Sequence, residues 1–479
     1  MSLGEGGAAL HRLTALDAVT LLKRGEVTPL ELVEAAARRI EATDGLINAL
    51  PTLCLERARD HAERIMAERG REHPEAWLGG LPVAVKDLVA VAGVRTTQGS
   101  PIYADHVPAR SDIMVERLEA HGAIVIGKSN TPEFGAGAST FNEVFGKTRN
   151  PWNTAKSVAG SSGGAAAALA AGQVWLADGS DLGGSLRTPA SFNAVIGLRP
   201  SPGRVARGPS ELPFQTLSVR GPMARTAADA ALMLDAMTGQ HPEDPLSLAA
   251  PTRPFLEAAR APRKPRRVAY SPDLGLFPVA REVKEICTAA AGRFAEMGVE
   301  VEQACPDFSG AVETFQTLRA AGFAADLAPL LETRRDLLKP EVIWNIEKGL
   351  ALTADDIGRA ERARGALYHR VAAFFETYDL LLSPAAIVAP FDVDIRYIEE
   401  VEGRRFDNYI EWVGIAFAIT LTGCPALSAP AGFTESGLPV GLQIVGPPRG
   451  EAAILSAAAL LEEATGIARR LPVDPQPAS

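Results

Sequence analysis

Two glycine-flanked serines, separated by an alanine-rich apolar run, constrain this chain more than any other feature. From Ala159 the sequence reads A-G-S-S-G-G-A-A-A-A-L-A-A-G, then V-W-L-A-D-G-S-D-L-G-G-S-L-R-T-P-A. Glycine has no Cβ, so each cluster lets the backbone turn sharply and approach a neighbour or ligand closely. The pattern predicts a turn, a helix ending at Gly172, a strand near 174–177, a loop at Gly183-Gly184 and a short helix from Ser185.

The flanking segments extend this to an α/β organisation. Residues 13–67 have apolar positions at helical spacing, with Thr28-Pro29 as a helix start. Short β-branched runs at 82–85 and 124–126 are separated by a helix near 112–120, and strand, helix, strand in that order is the α/β signature. Further strands are expected at 267–270, 380–384 and twice within 426–445, with a hairpin turn at Glu435-Ser436-Gly437. Helices are expected at 278–298, through most of 307–376 and at 452–464, and the tail 472–479 is expected to fray. No internal repeat or long linker divides the chain, so 1–479 reads as one domain, with a helical segment over 1–70 and its core over 79–222.

Composition narrows the class. Of 479 residues, 47% are hydrophobic and 22% charged, the balance of an ordered globular protein. A net charge of −10 without a basic block argues against direct nucleic-acid binding. Cys54, Cys287, Cys305 and Cys424 are scattered and form no C-x-x-C pair, which suggests neither a zinc site nor a disulfide framework but the reduced thiols of a cytoplasmic protein. The first residues read as no secretory signal, and no apolar run reaches the ~20 residues of a membrane span.

The loop Asp181-Leu182-Gly183-Gly184-Ser185 can aim the N–H groups of Leu182, Gly183, Gly184 and Ser185 at one point, where an oxyanion would sit. The plainer alternative is a serine capping a helix. Ser161-Ser162-Gly163-Gly164 is open to two readings from its residues. Ser162 fits a G-x-S-x-G nucleophile elbow, but that needs a strand just before it, and 152–157 reads as polar loop. The second reading is a serine-capped helix. Lys86, at the end of an apolar run, is either a desolvated base or a strand-end lysine paired with Asp87. The stretch G-A-I-V-I-G-K-S from Gly122 matches a phosphate-binding loop by letter, and a nucleotide-binding enzyme is the alternative it raises. Its apolar run and the following Asn130-Thr131-Pro132 contradict the strand–loop–helix context such a loop needs. The seven histidines form no i, i+4 pair, and neither His241 nor His369 has a diagnostic neighbourhood.

Taken together, Gly80-Leu81-Pro82-Val83…Lys86-Asp87, the Gly160–Gly164 turn and the Asp181–Ser185 loop resemble the amidase signature family, the Ser-Ser-Lys amidohydrolases. The likeness runs from about Leu13 to about Gly466 and includes G-K-T-R-N-P-W from Gly146 and G-L-P-V-G-L-Q from Gly437. It implies a large mixed, twisted β-sheet covered by helices on both faces. It implies hydrolysis of a small carboxylic amide, without metal or cofactor, away from membranes, and in many members as a homodimer. Lys86 would be the base, Ser161 the relay and Ser185 the nucleophile, with Ser162, Asp181 and Arg187 supporting the site. The Gly160–Ser161 peptide would be cis. Two positions depart from the pattern: Ala159 replaces a usual glycine, and Ala165 a common serine. The glutaminase component of the family's tRNA-dependent amidotransferases is the alternative to a stand-alone amidase. It usually carries a serine-leucine-aspartate-glutamine run where this chain has F-Q-T-L-S-V-R-G-P from Phe214. The acyl pocket is expected from 133–139 and from parts of 313–350 and 396–415.

Overall fold

An eleven-stranded mixed sheet runs through the molecule. In spatial order its strands are Thr52–Leu53, Ile124–Ser129, Pro82–Lys86, Leu176–Asp181, Val219–Ala224, Ile196–Arg199, Ala426–Phe433, Pro439–Val445, Leu380–Pro384, Arg267–Tyr270 and Glu300–Gln303. The computed structural model describes residues 10–68, 74 and 76–477. The strands Pro82–Lys86, Ile124–Ser129, Leu176–Asp181, Leu380–Pro384 and Pro439–Val445 are buried at every position. Because successive side chains point to opposite faces, both faces of the sheet must be covered, and helices cover them.

Pro82–Lys86 lies parallel to both Ile124–Ser129 and Leu176–Asp181. The carboxyl ends of these three strands therefore open at one edge, the usual place for a site in an α/β sheet. The helix Gly163–Ala170 packs on this trio and brings Ser161 and Ser162 to the same edge. Two glycines allow the close packing: a Cβ on Gly164 would lie 2.3 Å from the Asn130 nitrogen, and one on Gly179 2.8 Å from Ser162 Oγ.

The N-terminal helices are Ala15–Arg24, Pro29–Ile47 and Leu55–Ala67. Thr28 and Glu31 form a reciprocal capping box, with Pro29 in the first turn. The segment expected as helical over 1–70 carries these three helices and the two-residue strand Thr52–Leu53, and its residues 1–9, 69 and 70 lie outside the described residues. The strand expected at 174–177 runs over Leu176–Asp181, and the helix expected from Ser185 begins at Arg187. The tail does not fray over 473–476. The Val473 N–H donates to the Ala170 carbonyl (2.9 Å), the Gln476 N–H donates to that of Pro151 (2.9 Å), and Arg39 pairs with Asp474 at 2.7 Å. Among the described residues, no helix is long and apolar enough to cross a membrane.

Candidate active site

Lys86 ends its strand fully buried, and its backbone N–H donates to Asp178 Oδ1 at 2.7 Å. Its Nζ lies 2.7 Å from Ser161 Oγ, 2.8 Å from Ser162 Oγ and 3.0 Å from Ser180 Oγ. A neutral amine has two N–H donors and one lone pair, so it meets three hydroxyls by donating to two and accepting from the third. Burial pushes the Lys86 ammonium down to about 7, helped by the positive Arg220 and opposed by Asp178 and Asp181. Lys86 is no strand-end partner of Asp87, which accepts from Thr97 and lies 3.6 Å from Lys128.

The two serines of the first turn differ in their work. The Gly160–Ser161 peptide is cis. Ser162 precedes the helix Gly163–Ala170 without capping it, and its hydroxyl instead meets Lys86 and accepts from the Ser180 N–H at 3.3 Å. The reading of 152–157 as loop is corrected: Asn153–Ser157 is a strand, paired with Arg149–Asn150 in a two-stranded ribbon. It stops short of the turn and lies outside the main sheet, and Ser162 is fully buried, so the nucleophile-elbow geometry is absent.

Ser185 stands at the second turn, where its carbonyl accepts from the Ser162 N–H at 3.2 Å. The helix Arg187–Asn193 has no side-chain cap, so Ser185 is not a capping serine. Asp181 fixes this loop. It accepts from the Gly184 N–H (2.9 Å), the Leu186 N–H (3.2 Å) and Arg187 Nε (3.0 Å), and pairs with Arg199 at 3.2 Å. Burial alone would raise its pKa, but the two guanidiniums hold it well below the usual carboxylate range. Arg187 also donates to Gln443, Thr420 and the Ala416 carbonyl, which ties the loop to the far half of the sheet. Of the four amides expected to converge, that of Gly184 is thus committed to Asp181.

Ser161, Ser180, Leu182, Gly183 and Ser185 line a common cavity of about 280 Å³. Its remaining walls come from Leu88 and Gln98, from the three expected segments, through Phe134, Arg319 and Ile410 among others, and from an unexpected further segment, 207–220. Neither His241 nor His369 lines it. The phosphate-loop alternative fails: Ile124–Ser129 is a fully buried strand, with Lys128 Nζ donating to the Val89 carbonyl (2.6 Å) and to Thr96 (2.8 Å). Among the described residues, no cluster of His, Cys, Asp or Glu could hold a metal.

Ser180, Asp178, Arg199 and the 207–220 wall were not anticipated. A signal for the first two exists in A-D-G-S-D: polar residues at every second position of a buried strand mark one face.

Fold and comparisons together define the class, an amidohydrolase built on a large mixed sheet. Residues 31–455 match the Amidase family model. An acylamidase of Rhodococcus erythropolis is 35% identical, over 97% of this chain and 98% of that protein. The glutamyl-tRNA(Gln) amidotransferase A subunit of Moorella thermoacetica is 34% identical, over 97% and 99%. A solved bacterial aryl acylamidase of the amidase signature enzymes superposes with a TM-score of 0.90 at 27% identity, covering 97% of this chain and 99% of that one. The chain belongs to the amidase signature family and is an enzyme acting on amides.

Proposed function

We propose that this protein is a stand-alone amidase that hydrolyses a small carboxylic amide through an ester on Ser185. The observation that carries this is a buried lysine with Nζ 2.7 Å from the Oγ of Ser161, which lines the same cavity as Ser185. Neutral Lys86 takes the Ser161 proton as Ser161 takes that of Ser185, and the Ser185 oxygen attacks the amide carbon. The carbonyl oxygen becomes an anion facing the amides of Leu182, Gly183 and Ser185, donors of a kind worth about 3 kcal/mol each in the transition state. The proton returns through Ser161 to the leaving nitrogen and the C–N bond breaks. Water then enters by the same relay and releases the acid.

A fluorophosphonate probe with peptide mass spectrometry tests this: label is expected on Ser185, and label on Ser162 refutes the assignment. The amidotransferase reading keeps its support in A-subunit relatives, at 34% and 37% identity among others. Against it stands the F-Q-T-L-S-V-R-G-P stretch from Phe214. Turnover of simple amides by the isolated chain, well above that of glutamine, is the expected result, whereas a strict glutaminase would favour the amidotransferase role.

A further inference from the structure

The cavity is electrically lopsided in a way that amide chemistry alone does not require. Arg220 faces Ser180 across the antiparallel pairing of Val219–Ala224 with Leu176–Asp181. Directly opposed residues project from the same face of a sheet, so Arg220 stands beside the hydroxyl that touches Lys86. It lines the cavity with its side chain only 17% exposed. Arg220 forms an ion pair with Asp112, 3.7 Å from Nη2, but no hydrogen bond to it. Asp112 is already committed to the N–H groups of Met114 (2.9 Å) and Gly208 (3.4 Å). Arg220 Nε is buried without a hydrogen-bond partner among the described residues.

The rest of the wall adds further cations. Arg207 donates to the Gln215 carbonyl at 2.7 Å, and Arg319 donates to Asn345 and the Tyr409 hydroxyl, all neutral acceptors. Among the described residues, the cavity's one carboxylate is Asp326, whose pKa is raised by burial and by the charge of nearby Glu211, and held down in part by Arg207.

We propose, resting on the amidase reading above, that the substrates are short amides whose acyl chain ends in a carboxylate, and that Arg220 is the residue that selects them. A carboxylate matches the guanidinium fork, accepting from Nε and a terminal nitrogen together. The pair forms in a largely dehydrated pocket, where a charged hydrogen bond contributes most.

The test compares kcat/KM for succinamate and butyramide, which differ by the terminal carboxylate, in wild type, Arg220→Gln and Arg220→Lys. Wild type is expected to prefer succinamate by about tenfold or more. The preference should vanish in the glutamine variant and return in part with lysine. No preference in wild type, or an equal preference in Arg220→Gln, overturns the proposal. Should the variants fail to fold, inhibition of wild type decides: succinate should bind at least about tenfold more tightly than butyrate, and equal inhibition refutes the idea. Turnover of neutral amides without acid preference sinks only this inference. Turnover of neither amide, with Ser185 unlabelled, sinks the amidase reading and this one with it.

Discussion

Replacing Lys86 by methionine removes the one group whose protonation state decides whether the proposed relay can start. An ordinary lysine is neutral at pH 7 in only about one molecule in 3,000. Burial brings Lys86 from 10.5 to about 7, where about half the molecules are neutral, a gain of about a thousandfold in usable base. The sign follows: the competent form is the deprotonated one, so activity is present above the shifted pKa and lost as pH falls through it. The acid limb of kcat/KM should bend near pH 7, fall about tenfold per unit well below that and stay level into mildly alkaline buffer. Lys86→Met should lower kcat by about 10²–10⁴, the usual contribution of a positioned base, and abolish the limb. Ser161→Ala should cost less, since water can stand in for a relay hydroxyl but nothing replaces the amine. Stopped assays across pH 5 to 10, with each variant's fold checked by circular dichroism, give the answer. A flat profile between pH 5 and 8, or near-wild-type turnover by Lys86→Met, would refute the reasoning.

Three further outcomes are expected. Asp181→Asn leaves Arg187 and Arg199 buried without their common anion. Stability should fall by about 3–5 kcal/mol in urea denaturation, and a loss under about 1 kcal/mol would contradict the account. Ala159 sits at φ 57°, in the left-handed region, at the position where the family pattern has glycine. Ala159→Gly relieves about 1–2 kcal/mol of steric cost and adds about 0.5–1 kcal/mol of unfolded-chain entropy, so a small rise in Tm is expected, and a fall would count against it. Arg220→Gln removes a cation that helps hold Lys86 deprotonated, so the acid limb should move to higher pH, with an unmoved limb as the contrary result.

What could be read in advance was local. The strand before Lys86, both serine turns, the Thr28 helix start and the strands Arg267–Tyr270 and Leu380–Pro384 each announce themselves within a few residues. Pairing does not. That Arg220 opposes Ser180 depends on the register between two strands far apart in the chain, and no local pattern encodes it. Hence the walls expected from variable segments were found, while the 207–220 wall was missed. Thr52–Leu53 is too short to carry a periodicity, and Asn153–Ser157 is a polar ribbon strand without an apolar face. The tail was misjudged because its anchors, Ala170, Pro151 and Arg39, lie far from it in sequence.

The Asp181 cluster has an uneven ledger of signs: one carboxylate faces two guanidiniums, all fully buried. Among the described residues, Arg199 Nε and Nη2 have no hydrogen-bond partner, so the surplus is not dissipated locally. Beneath the Leu182–Ser185 turn, two cations therefore face one anion in a medium where fields carry far. If the proposed reaction creates an anion at that turn, its charge would balance a cluster that is one negative charge short of neutral.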